Sequence, residues 1–363
     1  MDSSVEKLDS LRSGAQHQTH LSQMCGTEQL FRDRYKVQRT LGRGGFGVTF
    51  LAEDVTLPSH PLCVIKQLCP KVSNPVVLQR ASQRFEREAR ILSQLGSHAQ
   101  IPRLLDYFQV NNEFYLVQEY IRGHTLAKEI KRRGPMGELE VKRLLRELLP
   151  VLEYIHQNQV IHRDVKPPNI IRCQDDGRLV LIDFGAVKEQ FAHESTHTQR
   201  GATTHFVGTL GFAPPEQLAL RPSYASDIFA IGVTCLYLLT AKPPMEFEYD
   251  AVTGEVVWQD RVQVSAYFGK ILDKMLRISP RDRYQSASEV LRALELEPYL
   301  DKLSDCLSTQ PRAALPGEEI PDGYVSPIVR TAIAIRRWRA RMQLIERQRK
   351  RREAEQQEAE VAG

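Results

Sequence analysis

Tryptophan, methionine and cysteine are all scarce in this 363-residue chain, with two, six and six copies. The cysteines (Cys25, Cys63, Cys69, Cys173, Cys235 and Cys306) are scattered, with no CxxC pair and no Cys/His group at zinc-finger spacing. That excludes a disulfide scaffold and a structural zinc module, and implies thiols kept reduced in the cytosol. Long apolar runs are also missing. The best, Ile228 to Ala241, has 14 residues and contains a glycine, whereas a membrane-spanning helix needs about 20. The first ten residues, MDSSVEKLDS, lack a basic start followed by an apolar block, so no secretory leader is expected. The expectation is a cytoplasmic protein with no transmembrane segment.

An excess of positive charge is absent from most of the chain as well. The formal net charge is +4, but Arg330 to Arg352 alone holds ten Lys/Arg against Glu346, a net of +9, so the rest carries −5. A basic nucleic-acid-binding core is therefore excluded. What is present is an ordinary globular composition, 42% hydrophobic and 26% charged, long enough for two lobes.

Residues 1–33 are polar and read as a flexible N-terminal tail. From Tyr35 short β-rich runs follow (Val48–Ala52, Cys63–Gln67, Phe114–Glu119), interrupted by one helical pattern from Gln83 to Leu95. After Gly123 the pattern turns helical, over Val141–Gln157, Asp227–Thr240, Ser265–Leu276 and Ala287–Leu296. The globular pattern ends near Glu297–Pro298. A loop rich in proline and glycine then leads to a last charged helix, so 299–363 reads as a linker and a basic amphipathic C-terminal helix.

Chemistry concentrates in a few places. Gly42, Gly44 and Gly47 form GRGGFG between two strand-like runs. Glycine lets backbone amides approach phosphate oxygens. A strand follows this loop, where a dinucleotide-binding fingerprint would need a helix. Lys66 sits in the apolar strand CVIK, and a lysine there needs a partner. Glu88, beside the apolar positions Phe85, Ala89 and Leu92, offers one, although taken alone a surface lysine is the commoner case.

The most informative stretch is VIHRDVKPPN (160–169) followed by LIDFG (181–185). Between them two apolar strands flank an Asp-Gly turn, a hairpin signal. Asp176 lies seven residues from both Asn169 and Asp183. Folding about that turn brings an amide oxygen and a carboxylate together, hard ligands suited to Mg²⁺ beside phosphates. Asp164, five residues before Asn169, then reaches a substrate hydroxyl.

The ordered set of glycine-rich loop, strand Lys, helix Glu, HRDxKxxN, DFG and PE resembles the eukaryotic-like (Hanks-type) serine/threonine protein kinases. CVIKQL, GGFGVTFLAED and the doubled proline of Ala213-Pro214-Pro215-Glu216 resemble cyanobacterial members. The resemblance implies an α+β bilobal fold over 34–298, with a β-rich N-lobe (34–118), a hinge (119–123) and an α-rich C-lobe (124–298). It implies ATP and Mg²⁺ as cofactors and protein serines and threonines as acceptors. Gly42, Arg43, Gly44, Gly45, Phe46 and Gly47 would cover the phosphates. Lys66 would hold the α- and β-phosphates and pair with Glu88. Thr49, Val64, Glu119 and Ile121 would line the adenine site, with Gln118 behind. Asn169 and Asp183 would hold the metal, Asp164 would take the hydroxyl proton, and Lys166 would face the γ-phosphate. Glu216 would pair with Arg283. Asp227, at the start of a buried helix, would tie down the catalytic loop, a role compatible with a simple N-cap.

Three positions depart from the family pattern. Thr49 stands for the usual Val, Val64 for the usual Ala, and Pro214 for the Ala before Pro215-Glu216; none removes a charged catalytic group. A pseudokinase would typically lose Lys66, Asp164 or Asp183, and all three are present. The protein-type segment Asp183 to Glu216, with Gly208-Thr209, argues against a small-molecule kinase. Lys166 and Thr209 resemble the Ser/Thr-specific pattern. Thr125 and Pro168 stand where arginine-directed relatives carry Glu, so no preference for basic residues before the phosphosite is expected. Arg163 implies control by phosphate on Ser195, Thr196, Thr198, Thr203 or Thr204, with Thr203 and Thr204 favoured. In the tail, Ile328, Thr331, Ile335, Trp338, Met342 and Ile345 form one apolar seam. That seam favours docking on a partner protein or on the kinase lobe over a solvated or membrane-bound helix.

Overall fold

The computed structural model describes residues 19–43, 47–68, 75–96, 98–110, 113–184, 188–189 and 211–299. The chain divides into two units, Met1–Leu300 and Asp301–Gly363, and every element below belongs to the first. The C-terminal seam, the phosphosite candidates, Gly208 and Thr209 lie outside the described residues.

The elements, in chain order, begin with α1 (His20–Met24), β1 (Leu30–Phe31), β2 (Tyr35–Arg43), β3 (Gly47–Asp54), β4 (Leu62–Leu68), α2 (Pro75–Leu95), β5 (Leu104–Val110) and β6 (Glu113–Glu119). The second half continues with β7 (Gly123–Thr125), α3 (Leu126–Arg133), α4 (Glu138–Gln157), β8 (Val160–Ile161), β9 (Ile170–Cys173), β10 (Leu179–Leu181) and β11 (Lys188–Glu189). It ends with α5 (Pro215–Leu218), α6 (Tyr224–Thr240), β12 (Glu248–Tyr249), β13 (Val256–Val257), α7 (Ala266–Leu276) and α8 (Ala287–Leu296). A six-stranded sheet, ordered β1-β2-β3-β4-β6-β5, makes the first lobe, and helices dominate the second.

Strand alternation divides the sheet into two faces. Thr49, Lys66 and Leu116 stand opposite one another across β3, β4 and β6, as do Leu51, Val64 and Gln118; these six share one face. Phe50, Ile65 and Val117 take the other, with Ala52, Cys63 and Tyr115. This second face forms its own core, and Leu21 and Met24 of α1 and Phe31 of β1 complete it. The reading of 1–33 as a tail is therefore corrected for residues 19–33. Three apolar side chains spaced through a polar stretch carry no periodicity, yet they are buried in the core on this sheet face. Thr19 caps α1 by accepting from the Ser22 amide.

The large core joins Phe85, Ala89, Leu92 and Leu95 of α2 to the second lobe. Its centre is α6, buried on all sides over most of its length, as a helix apolar all round must be. Three helices start before their first apolar repeat. α2 begins at Pro75 rather than Gln83, with proline at a position that needs no amide. α4 begins at Glu138, where Glu140 accepts from the Gly137 amide at 3.0 Å. α6 begins at Tyr224, where the Ser226 hydroxyl accepts from the Ser223 amide at 3.0 Å. Ser223 is thus the N-cap, and Asp227 sits inside the helix.

Candidate active site

The expected hairpin forms: β9 and β10 pair antiparallel with Ile170 opposite Leu181. The Ile182 amide donates to the Asn169 carbonyl at 2.8 Å, so Asn169 and Asp183 come together at the open end. The Asn169 Nδ2 donates at 2.9 Å to both the carbonyl and Oδ2 of Asp164. Lys166 Nζ lies 2.8 Å from Asp164 Oδ2. Asp164, Lys166 and Asn169 therefore make one cluster.

The second cluster crosses between lobes. Lys66 Nζ donates to Glu88 Oε1 at 2.5 Å and to Asp183 Oδ1 at 3.4 Å. Burial by itself would push the Lys66 ammonium toward neutrality. The carboxylates of Glu88 and Asp183 outweigh it, and the pKa is raised. Glu88 is buried, whereas the Asp183 side chain is 47% exposed. Asp183 thus faces the cleft with one carboxylate oxygen beside a fixed cation.

Two of these loop residues hold backbone conformations that L-residues rarely adopt, with φ of 67° at Arg163 and 69° at Asp183. Asp227 supplies part of the support. Its Oδ2 accepts from the His162 amide at 2.9 Å, and its Oδ1 from the Arg163 amide at 2.8 Å. His156 Nε2 lies 2.9 Å from the same Oδ2. Burial alone would raise the Asp227 pKa, but the hydrogen bonds it accepts, that with His156 foremost, hold it below the usual carboxylate range. Burial pushes the His162 pKa down, which keeps the ring neutral. Its Nδ1 accepts the Asp164 amide at 3.3 Å, and the ring meets Phe184 edge-on at 4.8 Å.

Sequence reasoning missed Gln217, whose Nε2 donates to the Arg163 carbonyl at 2.7 Å, and also His156. Gln217 follows directly after Pro215-Glu216, but nothing in its type or spacing points at a backbone carbonyl 54 residues away. Glu216 and Arg283 pair as expected, at 2.6 Å and 3.1 Å.

Gly42 and Arg43 end β2, where the β2–β3 register slips between Thr40 and Gly42; Gly44, Gly45 and Phe46 lie outside the described residues. Gly47 has a packing reason to be glycine. A Cβ there would stand 2.1 Å from the Gln67 carbonyl oxygen. Thr49 and Val64 share the Lys66 face. The Glu119 amide donates to the Arg103 carbonyl at 2.9 Å, and its carboxylate accepts from the Arg103 amide at 3.3 Å. Ile121 is buried with Cys173 and Val180. Thr125 caps α3 by accepting the Lys128 amide at 3.3 Å, and Pro168 is exposed.

The residues present fit Mg²⁺. Asn169 uses its nitrogen on Asp164, which leaves the amide oxygen as its donor end, and Asp183 adds a carboxylate. One amide oxygen and one carboxylate are too few for an all-protein cage, and match an ion that keeps waters and takes substrate phosphates. Among the described residues no cluster of three His, Cys, Asp or Glu offers another centre.

A two-lobed fold with a lysine–glutamate–aspartate bridge between its lobes and an Asp-Lys-Asn cluster on the catalytic loop is that of a protein kinase. The protein kinase domain model matches residues 35–294, and the chain belongs to that family. It is 51% identical over 298 residues to Serine/threonine-protein kinase B of Synechocystis, covering 81% of this chain and 52% of that protein. It is 46% identical over 271 residues to Serine/threonine-protein kinase PknA of Nostoc, covering 74% and 48%. Mouse Aurora kinase C is 31% identical over 263 residues, covering 71% and 90%. The chain spans about half the length of the cyanobacterial relatives it matches.

Proposed function

We propose that this chain transfers the γ-phosphate of ATP to serine and threonine hydroxyls of proteins. The observation that carries the reading is the bridge of Lys66 to Glu88 and Asp183 together with the Asp164–Lys166–Asn169 cluster, the two linked through the hydrogen bond from the Ile182 amide, next to Asp183, to the Asn169 carbonyl. Phosphoryl transfer asks the protein for positioning and charge, with little covalent chemistry, and these two clusters supply both. Lys66, kept cationic by its two carboxylates, would hold the α- and β-phosphates. Asn169 and Asp183 would hold Mg²⁺, which when bound neutralises charge on the transferring phosphate.

Asp164 orients the acceptor hydroxyl and takes its proton. The two donors on its Oδ2 fix the carboxylate in one orientation, so the remaining lone pairs meet an incoming hydroxyl at a defined angle. Lys166 stabilises the same carboxylate and offers positive charge to the phosphoryl oxygens.

Thr125 spends its hydroxyl on a helix cap and Pro168 bears no charge, so the reading includes no preference for basic residues before the phosphosite. It also includes autophosphorylation at Thr203 or Thr204, checked by mass spectrometry of active protein. A cytoplasmic location belongs to it too, in keeping with the free thiols of Cys25, Cys63, Cys173 and Cys235. Among the described residues no helix is long and apolar enough to cross a membrane.

The test is incubation with γ-labelled ATP, Mg²⁺ and a protein acceptor, followed by phosphoamino-acid analysis. Label on phosphoserine and phosphothreonine is the expected result. Label mainly on phosphotyrosine, or ATP bound with no transfer to any protein, would overturn the reading.

A further inference from the structure

A groove of about 530 Å³ lies between α3 and the C-terminal end of α6. Its floor is apolar, made of Ala127, Ile130, Tyr237 and Ala241, and its rim carries Lys128 and Lys131. The volume falls in the range of about 300–1,000 Å³ typical of ligand-binding clefts. The walls are held in place: the Met136 amide donates to the Leu238 carbonyl at 2.7 Å, and Gly134 ends α3 at φ 83°.

Charge is sorted around α3. Its acid, Glu129, is turned away to Arg172 at 3.2 Å and to Arg133 at 3.6 Å. The next acids along the chain, Glu138 and Glu140, are taken by Lys142 and by Arg133, the latter at 3.2 Å. Lys128 and Lys131 are exposed and have no carboxylate partner among the described residues. Two like charges one helical turn apart oppose each other, and no acid lines the groove to relieve them. An apolar floor under an uncompensated pair of cations is complementary to an apolar side chain flanked by carboxylates.

We propose that this groove docks an acidic peptide segment of a partner protein. One apolar side chain of the segment seats on Ala127, Ile130 and Tyr237, and its carboxylates meet Lys128 and Lys131. The groove's residues are separate from the Lys66 and Asp164 clusters, and the inference does not depend on phosphotransfer.

The test is fluorescence anisotropy on the full chain with a labelled eight-residue probe, Glu-Asp-Glu-Leu-Phe-Glu-Asp-Glu. Two controls accompany it, one with lysine for every acid and one with serine for Leu-Phe. The probe is expected to bind and both controls to fail, with affinity falling as salt rises. The double variant Lys128→Glu/Lys131→Glu should weaken binding at least about tenfold, as the removal of close charge complementarity does. Ala127→Trp, which fills the groove and keeps the lysines, should weaken it similarly. A fluorescent ATP analogue should bind all variants equally. The proposal is overturned if the probe does not bind, if both variants bind it as the parent does, or if the lysine control binds as well. It is also overturned if a single-stranded oligonucleotide or an anionic vesicle occupies the site, losing affinity in the same variants while the probe does not bind.

Discussion

Arg283, with no exposed side-chain surface, forks onto both carboxylate oxygens of Glu216 at 2.6 Å and 3.1 Å. Its remaining donors go to the carbonyls of Arg277, Ile278 and Ala225, so a single guanidinium ties the Pro-Pro-Glu turn to α6 and to the loop before α8. Removing one partner of such a pair strands a buried charge. Glu216→Ala should cost about 3–5 kcal/mol of stability. In a double-mutant cycle by urea unfolding, Glu216→Ala with Arg283→Met should lose at least about 1 kcal/mol less than the sum of the single changes. Additive losses would contradict the pairing.

Acid stability follows from two buried groups. The folded protein holds a proton on His162 less readily than the unfolded chain does, whose histidines titrate near about 6.5. Below that pH the unfolded state binds more protons, so stability falls as pH falls. Asp227 has the opposite charge and its own window: its folded pKa is depressed, so its contribution is present above the ordinary carboxylate value and is lost below about pH 4. Unfolding free energy should therefore decline between about pH 6.5 and 5, before the carboxylates titrate. His162→Gln should flatten part of that slope, with His98, also depressed by burial, accounting for the remainder. An unchanged slope in His162→Gln would be inconsistent with a buried neutral ring.

The segment ahead of the matched domain is structural. The Phe31 ring packs at a tilt against Tyr115, with centroids 4.8 Å apart, and against Phe108 at 5.9 Å, and Leu21 is fully buried. Together they back the sheet whose opposite face carries Lys66. Phe31→Ala or Leu21→Ala should destabilise by about 2–5 kcal/mol, seen as a lowered urea midpoint at unchanged m-value. A change below about 0.5 kcal/mol, the size of an ordinary surface substitution, would return this segment to the status of a tail.

What was legible in the sequence is whatever local rules encode. The hairpin and its turn followed from the Asp-Gly pair between two apolar runs. The register is one residue from the symmetric one, with Ile182 rather than Asp183 opposite Asn169, because equal spacing about a turn does not set which strand residues pair. Alternation in β3 and β4 placed Thr49, Val64 and Lys66 on one face. Helix starts were misplaced because apolar periodicity begins later than the caps that Gly137 and Ser223 provide. Leu21, Met24 and Phe31 carried no signal because their burial depends on a sheet face assembled from residues up to Val117. Gln217 and His156 act over long chain separations through a backbone carbonyl and a buried carboxylate, contacts without a spacing rule. The left-handed backbone at Arg163 was equally silent, since arginine seldom adopts it; at Asp183 the residue type tolerates that conformation but does not by itself announce it.

The central claim is that Asp164 acts on the acceptor hydroxyl while the Lys66–Asp183 bridge holds the donor. The most direct measurement is the initial rate of label transfer from ATP to a protein acceptor by the parent chain and by Asp164→Ala, with melting temperature and ATP affinity measured alongside. The account predicts a rate lowered by about 10²–10⁴-fold, with ATP affinity and melting temperature near those of the parent. A variant that folds, binds ATP and turns over within about tenfold of the parent, well short of a lost general base, would contradict it.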